Sequence, residues 1–205
     1  MRIIGGILAG GQGRRMPGID KPFAELAGLP LISHVIARLA QQTETVIINA
    51  NGAPERFRIF GLDVIPDQID GFRGPLAGVH ALIQQANIIG AGHVLVAPAD
   101  TPFLPSDLLE RLLMAADEQD TVRVASSHGR RHPVVALWPV SLASDLADYL
   151  ITSEDLSMVA YLRRVAVAEA DFTGSEGLDP FFNINAPEDL ARAEMMISGS
   201  LREPD

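Results

Sequence analysis

The 205-residue chain contains no cysteine. Disulfides and thiolate metal sites are therefore excluded, and the absence gives slight support to a reducing compartment. Lysine is nearly missing as well: fifteen arginines are joined by Lys21 alone. No apolar stretch approaches the ~20 residues needed to span a bilayer. The N-terminal "MRIIGG" lacks the basic region and cleavage site of a signal peptide, so a cytoplasmic location is expected. Basic surface is scarce too. A net charge of -10 argues against non-specific binding to DNA, RNA or an anionic membrane, because such binding needs a basic face. It leaves room for a small anionic ligand in a local cationic pocket.

What is present is apolar and periodic. A hydrophobic content of 47% is enough for one large domain, expected over residues 1–197 with 198–205 as a flexible tail. Residues 2–8 ("RIIGGIL"), 45–50, 61–67, 93–100 ("HVLVAPAD"), 121–127, 133–138 and 165–172 read as strands. Residues 30–42, 74–87, 105–119, 140–151, 155–164 and 186–197 read as helices, the third opening at Pro105. Strands alternating with helices predict an α/β fold: a single doubly wound, mostly parallel sheet with helices on both faces, Rossmann-like.

In such a sheet ligands bind at the carboxyl ends of the strands. Here those ends read Leu8-Ala9-Gly10-Gly11, Asn49-Ala50-Asn51, Pro66-Asp67 and Ala99-Asp100. Asn, Asp and Gly also favour turns, so Asn51 and Asp67 could be either turn formers or ligands. Asp100 is different, because it closes a run of apolar and small residues and its carboxylate must emerge from the sheet core.

The segment after the first strand, "ILAGGQGRRMPGIDK" (7–21), is neither a Walker loop nor the dinucleotide fingerprint, since both require other spacings. Its small residues can bring backbone N–H groups up to phosphate oxygens, and Arg14, Arg15 and Lys21 add positive charge. A phosphate cradle beside an isolated carboxylate suits a magnesium–nucleotide site, in which Mg²⁺ takes one or two carboxylates and completes its shell with water and phosphate oxygens. The five histidines show no ligand spacing, and no nucleophilic triad is legible. Nucleotidyl transfer, which depends mainly on positioning and charge neutralisation, fits better than hydrolysis.

With "LAGGQGRRM…DK" (8–21), the chain resembles the sugar-nucleotide-type nucleotidyltransferase superfamily. The ordered set "NAN" (49–51), "GPLAG" (74–78), "PADTPFLP" (98–105), "RRHPVVAL" (130–137) and "FFNINAPEDL" (181–190) resembles the bacterial MobA family of molybdenum cofactor guanylyltransferases. The resemblance implies the nucleotidyltransferase version of the fold and transfer of GMP from GTP to the terminal phosphate of molybdenum-bound molybdopterin. Carried over, it implies that Leu8, Ala9, Gly10, Gly11, Lys21, Asn49, Asp67 and Asp100 bind GTP, that Arg15 and Lys21 offset triphosphate charge, and that Asp100 also binds magnesium. Asn183 and Asn185 match an element tied to catalysis or to the pterin, and could equally cap the last helix. Two departures stand out. Met16-Pro17-Gly18 replaces a family Met-Gly-Gly or Met-Gly and removes one N–H. Asparagine at 183 and 185 replaces the aspartate that holds a second metal in some relatives.

GTP and molybdopterin are the implied partners, with molybdoenzyme-maturation proteins as further candidates. A monomer is expected. Two rivals remain: a CTP-dependent cytidylyltransferase of the same superfamily, and a non-catalytic nucleotide- or cofactor-binding protein. Roles for Arg130, Arg131, Arg163 and Arg164 are open, with a lean toward a ligand role for the first pair.

Overall fold

The structure is a computed structural model that describes residues 2–10, 20–69, 71, 74–173 and 179–198. Strands β1 (Ile3–Leu8), β4 (Val46–Asn49), β5 (Asp63–Ile65), β6 (His93–Pro98), β7 (Val122–Ser127), β8 (Arg130–Pro139) and β9 (Val167–Asp171) form one sheet in the order β5-β4-β1-β6-β8-β7-β9. Six strands run the same way and β8 alone is antiparallel to its neighbours. A small hairpin, β2 (Glu25–Leu26) and β3 (Leu29–Pro30), stands apart from this sheet.

The helices divide between the two faces. Alternate residues of β6 show why: Leu95 and Ala97 join a core with Ile32, Val35 and Leu39 of α1 (Leu31–Ala40) and with Leu108 and Leu112 of α3 (Leu108–Met114). Val94 and Val96 face the opposite way. They pack with Leu76, Val79 and Leu82 of α2 (Pro75–Ile88), Leu146 and Leu150 of α4 (Ala143–Thr152), and Tyr161 of α5 (Met158–Leu162). The near-continuous apolar run of β6 is thus explained by burial on both sides. At Gly6 a Cβ would stand 2.7 Å from Leu82 Cδ1, so the missing side chain lets α2 lie close against β1.

A third core cluster matters for the site. Ala193 of α6 (Pro187–Ile197) and Ile184, just before it, pack with Ala24, Leu26 and Leu31, and Phe103, Phe182 and Leu190 flank them. This cluster clamps the end of the chain onto the hairpin that follows Lys21.

Two expectations need correction. The helix predicted over 105–119 covers only Leu108–Met114. Its continuation is prevented because the buried guanidinium of Arg123 takes the carbonyls of Ala116 (3.1 Å) and Glu118 (2.9 Å), gathering residues 115–121 into a loop. The strand predicted at 133–138 begins earlier, at Arg130. His128 and Gly129 both have positive φ, 48° and 72°, the pattern of a two-residue hairpin turn. Pro133 is tolerated because the β7–β8 register jumps there, with Ala125 opposite His132 but Val124 opposite Ala136. Proline, which cannot donate to the ladder, is at home in such a bulge. The predicted tail, 198–205, lies outside the described residues except for Ser198. Among the described residues no helix is long and apolar enough to cross a membrane.

Candidate active site

The order β5-β4-β1-β6 means that the chain turns back between β1 and β6, and a crevice opens at their carboxyl ends. Leu8 is paired with Asn49 on one side and Pro98 on the other. Ala9 N–H donates to Asn49 O (2.9 Å), and Ala99 N–H donates to Leu8 O (3.0 Å). The sheet therefore sets Gly10, Asn49 and Asp100 side by side. It also engages the amide of Ala9, leaving exposed Gly10 as the point where the backbone leaves the ladder. Gly11, Arg14, Arg15 and Met16-Pro17-Gly18 lie outside the described residues.

Lys21 is anchored from behind. It opens a short 3-10 turn, Lys21–Phe23, and Phe23 packs in an aromatic group with Phe57 and Phe60. Arg56 donates to Asp20 (2.5 Å) and lies over the Phe57 ring, 4.6 Å from its centroid. The lysine ammonium then meets two groups from distant parts of the chain. It forms an ion pair with Asp100 Oδ2 and donates to Asn185 Oδ1 at 2.7 Å. Lys21 and Asp100 side chains are 20% and 16% exposed, half-sheltered yet open to a ligand. Among the described residues the second oxygen, Asp100 Oδ1, is buried with no hydrogen-bond partner. Such an oxygen is costly to leave unpaired, so a cation is its natural complement.

The segment before α6 bears on the capping reading of Asn183 and Asn185. Neither caps the helix. Ala186 occupies the N-cap position, and the helix start is held by Asp189, whose Oδ2 accepts from the backbone N–H of Asn185 (2.8 Å) and Ala186 (2.9 Å). Both asparagine side chains are thereby left for other partners. Asn185 takes Lys21, and Asn183 Oδ1 accepts the Thr101 hydroxyl (2.6 Å). Ile184 N–H donates to Asp100 O (3.0 Å), so the segment runs directly across the end of β6.

A second polar group lies at the ends of β4 and β5. Asp67 accepts from Asn49 Nδ2 (3.0 Å) and Asn51 Nδ2 (2.7 Å), while its own N–H donates to Asn51 Oδ1 (2.9 Å). Asn51, which like Asp67 could be a turn former or a ligand, is the reciprocal partner that fixes this carboxylate. Asn49 is 3% exposed and lies against Gly78, where an added Cβ would overlap Asn49 Oδ1 and stand 2.7 Å from Leu8 Cδ2. The second glycine of "GPLAG" is thus required by close approach. Gly78→Ala should displace Asn49 and destabilise the fold by about 1–3 kcal/mol through overpacking. Nucleotide affinity in calorimetry should fall with it, and unchanged affinity would show that Asn49 does not touch the nucleotide.

Ser127, His132 and Asp179 also meet at this edge. Their connectivity rules out a hydrolytic triad: Ser127 Oγ donates to Asp179 Oδ1 (2.8 Å) and sits 2.7 Å from His132 Nε2. The serine lies between the other two instead of at the end, and it is only 1% exposed. Burial lowers the His132 pKa; Asp179 opposes this and Arg130 reinforces it, so the ring is neutral at pH 7. Of the open arginines, Arg131 donates to Glu169 (2.6 Å) and Arg164 lies over the Tyr149 ring. Arg130 is exposed at the hairpin. Among the described residues no group of three or more His, Cys, Asp or Glu could hold a metal.

Residues 5–167 match the model of the MobA-like NTP transferase domain family. The chain is 49% identical to the molybdenum cofactor guanylyltransferase of Rhodopseudomonas palustris strain BisB5 over 191 residues, 92% of this chain and 90% of that protein. It is 44% identical over 200 residues to the protein of that name from Mesorhizobium japonicum, covering 95% and 96% of the two chains. Its fold is similar to the crystal structure of molybdopterin-guanine dinucleotide biosynthesis protein A from Archaeoglobus fulgidus, with a TM-score of 0.74, 24% identity, and coverage of 96% and 99%.

Proposed function

The chain belongs to the MobA-like NTP transferase family, and we propose that it is a molybdenum cofactor guanylyltransferase that transfers GMP from GTP to the terminal phosphate of molybdopterin. The observation that carries this reading is the convergence of Lys21, Asp100 and Asn185, from three remote segments, at the crevice between β1 and β6. That is where a triphosphate would need a cation and a metal ligand.

A phosphate oxygen of the pterin attacks the α-phosphorus of GTP, a new phosphoanhydride bond forms, and the bond to the β-phosphate breaks to release pyrophosphate. The attacking monoester has a second pKa of ~6 and is largely ionised near neutral pH, so no general base is needed. Neutral His132 and buried Ser127 are accordingly left out of the chemistry. Lys21 offsets charge on the phosphates and orients them through a compact ammonium. Asn49 and the Asp67 carboxylate, held by two amides, hold the nucleoside end. Guanine presents N1–H and an exocyclic NH₂, and a fixed carboxylate supplies acceptors for such donors.

The donor set fits magnesium. Asp100 Oδ1 is unpartnered among the described residues, and a single carboxylate completed by water and phosphate oxygens is an ordinary Mg²⁺ environment. Bound there, the ion would neutralise charge between the phosphates. In calorimetry with magnesium, GTP should bind clearly more tightly than CTP or ATP, and mixing the protein with GTP, magnesium and molybdopterin should release pyrophosphate. Equal or tighter CTP binding would transfer the assignment to a cytidylyltransferase. GTP binding without pyrophosphate would leave a binding protein.

A further inference from the structure

The segment that carries Asn183 and Asn185 is fastened at both ends. At its far end Ile184 and Asn183 are tied to Asp100 and Thr101, and Asn185 to Lys21. At its near end one oxygen, Asp179 Oδ1, accepts both the Ser127 hydroxyl (2.8 Å) and Phe181 N–H (3.0 Å). Phe182 N–H closes the turn on Asp179 O (2.9 Å). The Ser127 proton goes to a carboxylate, so the neutral His132 ring must carry its proton on Nε2 and donate it to Ser127 Oγ. The same ring packs against Phe181 at 4.6 Å between centroids, and Phe181 also meets Phe172 edge-on at 5.2 Å.

Ser127 Oγ, His132 Nε2 and the N–H groups of Phe181 and Phe182 all have acceptors, and Ser127 and Phe181 are 1% and 4% exposed. Polar networks that are fully satisfied and buried hold one conformation. The β7–β8 hairpin supplies Ser127 and His132 at fixed register, opposite Arg130 and Ala125 respectively, so the rigid sheet sets where residue 179 stands. Six residues later the chain delivers Asn185 to the catalytic lysine.

We infer that Ser127, His132 and Asp179 are positioning residues that fix the 179–185 segment against the sheet and so place Asn183 and Asn185 for the transfer. The inference rests on the proposed function for its effect on turnover, whereas the anchoring itself can be measured without substrate. Asp179→Ala removes the acceptor. Ser127→Ala, a milder change that keeps the volume nearly the same, breaks only the link to the sheet. Asp179→Asn keeps an oxygen at Oδ1 for both donors.

Hydrogen exchange followed by mass spectrometry on the 180–186 stretch should speed up at least tenfold in Asp179→Ala and Ser127→Ala and return toward wild type in Asp179→Asn. In pyrophosphate-release assays the first two should lower kcat about tenfold, with the Kd for GTP changed less than threefold, because Asn49 ends β4 and Asp67 follows β5, away from the anchor. Asp179→Asn should restore most of the turnover. Unchanged exchange in both alanine variants would overturn the anchor. Faster exchange with wild-type kcat would overturn the positioning role, as would equal losses in all three variants that follow melting temperature. If wild-type protein releases no pyrophosphate from GTP and molybdopterin, the function assignment fails, and the exchange data still decide whether the anchor exists.

Discussion

Lys21→Ala is expected to lower turnover about a hundred- to a thousandfold, the loss typical of one preorganised charge or donor at a transferring group. Lys21 is the chain's sole lysine, and its ammonium is placed by Asp100 Oδ2 and Asn185 Oδ1. Those acceptors orient the group without covering it, since a fifth of the side chain reaches solvent. The substitution breaks an ion pair, which in a closed interior costs several kcal/mol because a charge is left behind. Here the abandoned carboxylate keeps 16% of its side-chain surface exposed, so a solvent cation can reach it, and the melting temperature should stay within a few degrees of wild type. Lys21→Arg should lose most activity too. The planar guanidinium fork cannot reproduce a point charge held between a carboxylate and an amide oxygen. Steady-state kinetics beside thermal melts decide the matter. A large fall in melting temperature with intact specific activity would make Lys21 a structural residue.

Much of the fold was legible because its signals are local. The strands read at 2–8, 45–50 and 93–100 are Ile3–Leu8, Val46–Asn49 and His93–Pro98, and the helices read at 30–42 and 74–87 are Leu31–Ala40 and Pro75–Ile88. What escaped depends on remote partners. β2 and β3 have two residues each, too few to show a period. The last turns predicted for α3 are cancelled by Arg123, which reaches back from the next strand. A propensity window cannot contain that competitor.

The site divides in the same way. Lys21 and Asp100 stood out through composition and through a charge at the end of an apolar strand, and the sheet order brings them together. Asn183 and Asn185 were ambiguous, because asparagine before a helix is a good cap. Only the hydrogen bonds of Asp189 show that the capping role is already taken. Ser127 and Asp179 carried no signal, and His132 only as part of "RRHPVVAL". Ser127 and Asp179 are 52 positions apart, and His132 reaches Ser127 only through a two-residue turn beside a bulge, features that residue types suggest weakly. Asn51 needed the register of β4 against β5 before its pairing with Asp67 could be seen.

Asp100→Asn should cost as much as loss of the lysine, about a hundred- to a thousandfold in rate or ~3–4 kcal/mol of transition-state stabilisation, with less effect on the fold. The side chain leaves β6 at its carboxyl end, beside Gly10 and opposite the segment that carries Asn185. One oxygen engages Lys21 and the other is buried without a partner among the described residues. Asparagine keeps the shape, and its amide oxygen can still accept from the ammonium, so Lys21 stays near its place. What disappears is the negative charge that would hold a divalent cation against the phosphates. The loss should therefore appear as a dependence on magnesium: the variant needs far more Mg²⁺ for half-maximal activity and never reaches the wild-type plateau. A neutral amide is a poor substitute for a carboxylate toward a hard cation that gives up its water reluctantly. Pyrophosphate release from GTP and molybdopterin across a magnesium titration, with melts run in parallel, provides the measurement. Near-wild-type turnover with an unchanged magnesium midpoint would remove Asp100 from the metal site. The unpartnered oxygen would then belong to the Lys21 pair alone, and charge neutralisation in the crevice would fall to the lysine and to groups other than this carboxylate.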